Sequence, residues 1–210
     1  MRTLELDGKA LLGKGIELVE GNGKGATVTA GPVVVGPTSG KRRGVTGPYN
    51  QVMHRPWLYV YPDGSEPYMA YAAYLVSSWN LIGNGHTGAL PRSQVTPSLA
   101  ADFNLVWLGV ARNQIPQIAS DLPFDWDDAG VTLKGSVFPG QAILSVFDAG
   151  DRVGAVLHAP KGKESLLYGV VPFSSRAGLP DYLVWGSSGA TGLGFYDGDW
   201  QWDPKFGQEF

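Results

Sequence analysis

Trp57-Leu58-Tyr59-Val60-Tyr61-Pro62-Asp63-Gly64-Ser65-Glu66-Pro67 decides how this chain is read. Five apolar residues in a row have strand length, and a run apolar on both faces suits the centre of a parallel sheet. Pro62-Asp63-Gly64 ends the run as a turn. Ser65 is placed to cap a helix, with Glu66 in its first turn and Pro67 at N1 or N2. Tyr68, Ala72, Leu75 and Trp79 then recur at i, i+4, i+7 and i+11, a single apolar stripe. Gly83-Asn84-Gly85 stops that helix.

A second unit of the same kind follows. Thr96-Pro97 opens a short helical turn, and Leu105-Val106-Trp107-Leu108-Gly109-Val110 repeats the buried-strand pattern. Asn113 can cap a further segment running to Asp121, with Pro116 in its first turn. Strand, helix, strand and helix therefore alternate between 57 and 121, which implies crossover connections and an α/β fold with a partly parallel sheet. From 130 onward β signals dominate: Val131–Leu133, Ala142–Phe147, Val153–His158 and Tyr182–Trp185 read as strands, and Leu166–Val171 as strand or helix.

Upstream, the apolar clusters Leu4–Leu6, Ile16–Val19, Ala26–Thr29 and Val33–Val35 are separated by Asp7-Gly8, Gly21-Asn22-Gly23 and Gly31-Pro32. Such turn pairs favour small antiparallel hairpins. Residues 1–42 are expected to form a small β-rich module, and residues 37–50 a linker or surface loop. The 30 Gly and 15 Pro are spread between apolar runs, which argues for many turns in an ordered chain of 210 residues.

Composition narrows the function classes. Charged residues make up 17 % of the chain, for a net charge of −3, and Lys41-Arg42-Arg43 is the one dense basic run. That is far from a phosphate-tracking surface, so no nucleic-acid partner is expected and the run reads as a solvated loop. There are no cysteines, which removes disulfides, thiolate metal sites and a Cys nucleophile. No stretch approaches the roughly 18 apolar residues of a membrane span. The N-terminus is too charged, and its apolar run too short, for a signal peptide.

Motifs for chemistry are incomplete. His54, His86 and His158 share no metal-ligand spacing, so no metal is expected. Trp185-Gly186-Ser187-Ser188-Gly189 approaches a nucleophile elbow but has the wrong spacing, and no striped helix follows it. Gly83-Asn84-Gly85-His86-Thr87-Gly88 closes a helix where a dinucleotide fingerprint opens one, so no cofactor is expected. Asp125-Trp126-Asp127-Asp128 and Asp197-Gly198-Asp199-Trp200-Gln201-Trp202-Asp203 could supply paired carboxylates or sugar-stacking Trp faces, but read better as turns with core aromatics.

One resemblance extends this reading. The run Arg43 to Trp57, RGVTGPYNQVMHRPW, leads into the first central strand, and Asn104–Gly109 and Phe138-Pro139-Gly140 follow. With the closing phrases Asp181–Trp185 and Gly194–Trp200, these resemble a region of large secreted serine hydrolases of the prolyl-oligopeptidase-like and polyhydroxybutyrate-depolymerase-like kind. The resemblance spans roughly residues 43–202. It implies a flavodoxin-like three-layer accessory module over 43–210, beside a hydrolase domain that carries the nucleophile elbow. No catalytic residue transfers, because this chain has no elbow. The family's region usually belongs to a longer chain, so this one reads as a free-standing relative or a fragment, and the resemblance implies a secreted or periplasmic location.

The leading expectation is a non-catalytic accessory or interaction domain, meeting a hydrolase domain or a small-molecule or glycan ligand. Open α/β sheets leave a crevice at the carboxyl ends of their strands. That nominates Tyr61, Asp63, Ser65, Arg112 and Asn113, with His86 as a neighbour. Two other readings remain: a hydrolase using Ser187 or Ser188 with His158 or His86 and Asp197 or Asp199, and a carbohydrate-binding module using Trp126, Trp200 and Trp202.

Overall fold

The computed structural model describes residues 5–6, 9–10, 15–19, 27–31, 40–42, 44–118, 122–133, 135–170 and 178–209. The chain divides into two units, Met1–Thr38 and Ser39–Phe210. In the first, β1 (Glu5–Leu6) pairs antiparallel with β2 (Lys9–Ala10), and β3 (Gly15–Val19) with β4 (Thr27–Gly31). Val33–Val35, expected as a strand, lies outside the described residues.

The second unit is a mixed α/β structure. Its strands are β5 (Trp57–Tyr61), β6 (Gly88–Pro91), β7 (Asn104–Leu108), β8 (Phe124–Asp127), β9 (Gly130–Leu133), β10 (Ser136–Pro139), β11 (Ala142–Asp148), β12 (Val153–His158), β13 (Tyr182–Gly186), β14 (Gly189–Tyr196) and β15 (Trp202–Glu209). An eight-stranded sheet has the order β15-β14-β13-β11-β12-β7-β5-β6, and β8, β9 and β10 make a small three-stranded antiparallel sheet. Pairing is parallel from β12 through β7 and β5 to β6, and antiparallel on the other side of β12. β7 lies between parallel neighbours, and all five of its residues are buried, as its continuous apolar run requires.

Helix α1 spans Glu66–Ser78 and buries Tyr68, Tyr71, Ala72 and Leu75. The expected stripe is thus present, one turn shorter than read, because Trp79 opens a single wide turn, Trp79–Gly83, that ends where Asn84 enters the left-handed region at φ 48°. Trp79 packs edge-on against Trp57, ring centres 4.7 Å apart. The short α2 (Pro97–Asp102) starts where expected, the Thr96 hydroxyl accepting from the Leu99 amide at 3.2 Å.

Two expectations need correction. After β7 the described residues, which run to Ile118, hold a 3-10 turn, Arg112–Gln114, and the expected end at Asp121 lies outside them. Pro116 follows two residues after the turn, and proline removes an amide donor that a longer helix needs. Strand β6 is absent from the expected strands; with Gly and Pro in its four residues it is weak by propensity, and it exists as the edge partner of β5.

Lys41 and Arg42, read as a solvated loop, are instead anchors. The Lys41 ammonium donates to Asp181 Oδ2 and to the Tyr196 carbonyl, each at 2.5 Å, and sits 5.4 Å from the centre of the Trp200 ring. Arg42 forks onto Asp148 at 2.5 and 3.1 Å. The Asp181 side chain is fully buried and also accepts from the Tyr196 amide at 2.8 Å. Burial pushes its carboxyl above the usual carboxylate range, with Lys41 opposing the shift. Gly47, at φ 67°, must lack a side chain, since a Cβ there would stand 2.0 Å from Asp181 Oδ1. Val45 and Tyr49 complete the strap by burying their side chains in the core.

Breaking this pair from one side leaves a buried carboxylate unpaired, which typically costs about 3–5 kcal/mol. Lys41→Met is expected to lower stability by about that amount in urea denaturation. The double change Lys41→Met with Asp181→Leu is expected to recover most of the loss.

Candidate functional site

Four parallel strands point their carboxyl ends the same way, so the loops after β5, β6, β7 and β12 meet at one edge of the sheet. A cleft of about 500 Å³ opens there between the start of α1 and the ends of β7 and β12. Ser65, Tyr68, Gly109, Asp128, His158 and Glu164 are among the residues on its walls. A second cleft of about 710 Å³ lies beside it, lined by Arg112, Asn113, Asp125, Trp126 and Asp127. Strand β8 lines the second cleft, and Asp128, just past its end, lines the first.

Tyr68 closes the floor of the first cleft. Its hydroxyl donates to the Ala159 carbonyl at 2.8 Å and accepts from the Ala159 amide at 3.1 Å. Burial pushes its pKa up to about 12, so it stays a neutral phenol. Its ring covers Gly109, which sits at φ 65°; a Cβ added there would lie 2.1 Å from the ring. Only glycine allows this approach at this backbone conformation.

His158 ends β12 and is 4 % exposed. Its Nε2 lies 2.9 Å from the Asp127 carbonyl. A carbonyl only accepts, so Nε2 carries the proton and Nδ1 holds a lone pair. Nδ1 is buried and has no hydrogen-bond partner among the described residues. Burial lowers the imidazole pKa below its ordinary 6.5, while Asp127, Asp128 and Glu164 pull it upward.

The nominated residues separate into three groups. Ser65 lines the first cleft, and although it occupies the cap position of α1, its hydroxyl makes no capping hydrogen bond. Arg112 and Asn113 line the second, where Arg112 Nη1 also donates to the Phe124 carbonyl. Tyr61 and Asp63 stand at the same sheet edge, but Asp63 is used to join loops: it accepts from the Ser93 hydroxyl at 2.5 Å and the Ser93 amide at 3.2 Å, with Arg92 at 3.8 Å. The Ser93 hydroxyl is the main cause of its lowered pKa. His86 is not a neighbour of these residues. It precedes β6, and Thr87 donates to the carbonyl of Trp57 at the start of β5. A five-residue strand, ~13 Å long, therefore separates His86 from the crevice.

The hydrolase set is not brought together. Ser187 and Ser188 form the two-residue turn of an ordinary β13–β14 hairpin, not a strand-to-helix elbow. Val184 and His158 both pair with Ile143, which puts them two strand spacings apart, about 10 Å, and the serines lie further out. Asp197 and Asp199 follow β14 at the opposite end of β13. Nor do the tryptophans form a sugar platform: Trp126 and Trp200 are buried, and the indole N–H groups of Trp126 and Trp202 donate to the Val110 carbonyl and the Tyr182 hydroxyl. Asp125-Trp126-Asp127, read as a turn, is strand β8, its Trp inward and its Asp residues outward.

Tyr68, Gly109, Asp128, Lys161 and Glu164 carry no signal in the sequence as cleft residues, and sequence places His158 at a strand end and as a base in the alternative hydrolase set. The parallel pairing of β12 with β7 collects them, and no local pattern announces that pairing. Among the described residues no group of three His, Cys, Asp or Glu is arranged to hold a metal ion. Compared with protein-family models, curated proteins and solved structures, the chain matches none.

Two outcomes follow for this cleft. Gly109→Ala is expected to destabilise by several kcal/mol, since it combines ring overlap with an unfavourable φ, and thermal unfolding measures it. For His158, folding lowers the pKa, so its contribution is present above pH 6.5 and is lost as pH falls through the lower folded value. The stability difference between wild type and His158→Gln should therefore shrink as pH drops below 6.5. A difference constant from pH 7.5 to 4.5 contradicts the assignment.

Proposed function

We propose that residues 39–210 form a non-catalytic binding module that takes a small polar ligand at the carboxyl-end cleft. In keeping with the sequence phrases over 43–202, we place it as an accessory domain of a secreted α/β-hydrolase, with the flavodoxin-like three-layer arrangement that this resemblance implies. One observation carries the binding reading. The cleft gathers Ser65, His158, Asp128 and Glu164 where a parallel sheet ends, the position at which open α/β sheets bind ligands. The dispersal of Ser187, Ser188, Asp197 and Asp199 favours binding over chemistry, because nucleophile, base and orienting acid must lie within hydrogen-bond reach of one another.

A small-molecule fragment set titrated into the full chain, followed by amide and imidazole NMR shifts, tests this. Saturable shifts are expected at Ser65, Gly109 and His158. Shifts confined to other regions, or fluorophosphonate labelling of Ser187 or Ser188, would sink it.

A further inference from the structure

Helix α1 carries apolar side chains on the side that faces away from the sheet. Its inner face buries Tyr68, Tyr71, Ala72 and Leu75. The outer face of such a helix is ordinarily charged or polar. Here residues 67–91 contain no Asp, Glu, Lys or Arg, although 17 % of the chain is charged. Met69 is 50 % exposed and Tyr74 36 %, and on the wide turn that continues the helix Leu81 is 84 % and Ile82 66 % exposed. Ala70, Ala73 and Ser77, also exposed, lie between them. Tyr168, in the 3-10 turn Glu164–Gly169, widens the patch; it is 44 % exposed, and its ring centre lies 5.0 Å from that of Tyr74.

The size of this face matches a protein interface. At about 200 Å² for a large side chain, these five exposures leave roughly 550 Å² open, and the small residues between them add to it. That is the upper end of what a monomer exposes, and it approaches the roughly 800 Å² per partner of a standard interface. Its neutrality selects the partner. Two copies of an uncharged face bring no like charges together, whereas a charged partner would find no counter-charge on it. The Lys and Arg that hold an apolar helix face on a membrane surface are missing from it.

The order of side chains suits a two-fold axis, about which residue i meets j and j meets i. Two copies of α1 crossing antiparallel between Ala73 and Ser77 set Met69 against Leu81, Ala70 against Asn80 and Ala73 against Ser77. Small side chains then meet where the helices come closest, and large ones close both ends. The sheet edges are poorer candidates for self-association. Strand β15 carries Pro204 and Lys205 and breaks register against β14, and β6 ends in Pro91; each feature guards an edge against pairing.

We infer that the chain forms a two-fold dimer through the outer face of α1, with the two helices antiparallel. Standard-size interfaces bind at micromolar or tighter, so sedimentation equilibrium of the full chain at about 100 µM is expected to give twice the 22.4 kDa chain mass. Ala73→Glu with Leu81→Glu, both at exposed positions, should weaken dimerisation at least a hundredfold with the circular dichroism unchanged. The chain has no cysteine, so differently tagged Ala73→Cys and Ser77→Cys chains can be mixed and oxidised. The mixed disulfide should exceed both homodisulfides, and this readout decides even if the charged variant loses its fold. A monomer mass at every concentration overturns the inference, including a monomer that cosediments with lipid vesicles. A dimer that survives Ala73→Glu with Leu81→Glu overturns it, as does an excess of homodisulfides.

Discussion

The pairing of β12 with β7 is the constraint on which the rest of the second unit depends. Ala155, Val156 and Leu157 run parallel to Val106, Trp107 and Leu108, and this contact joins the parallel strands to the antiparallel ones. A parallel neighbour cannot be reached by a tight turn. The chain therefore spends residues 109–152 on the small β8–β10 sheet and on β11 before it returns as β12. Because β12 runs the same way as β5 and β7, its end, His158, arrives beside the start of α1. Without that direction there would be no shared edge and no cleft.

The antiparallel side is held differently. Asp181 stands just before β13, in the middle of the sheet, with its carboxylate fully buried. An ion in that position requires a partner of opposite charge and further hydrogen bonds, and it draws them from Lys41 and the Tyr196 amide. The strap over 40–49 thereby becomes part of the core. Gly47 is the local consequence, since nothing larger fits beside Asp181 Oδ1.

Charge and packing meet at the cleft. Tyr68 locks α1 to Ala159, and Gly109 passes beneath its ring, so the two strand ends are held at a fixed separation. Inside that frame burial disfavours the charged form of His158, and among the described residues its ring is held through Nε2. On the binding role proposed above, it is this frame that would receive a small partner.

Local sequence determined a good deal. The run Trp57–Tyr61, the capped and proline-started α1, the second run before Gly109, and strands β9, β11, β12 and β13 were all legible, because burial on both faces and helical periodicity leave their mark within a few residues. The carboxyl-end crevice followed from that alternation, and Tyr61, Asp63 and Ser65 do stand at the carboxyl-end edge of the sheet. Tertiary structure alone decided the remainder. Edge strand β6 has no propensity of its own, strands β8, β14 and β15 carry glycines or alternating acids that read as turns, and Lys41 looks solvated until Asp181 is placed 140 residues away. His86 and His158 have equally unremarkable surroundings in sequence. Strand direction sends the first to the far end of the sheet and the second into the cleft, and direction is set by long-range pairing that no short window of residues encodes.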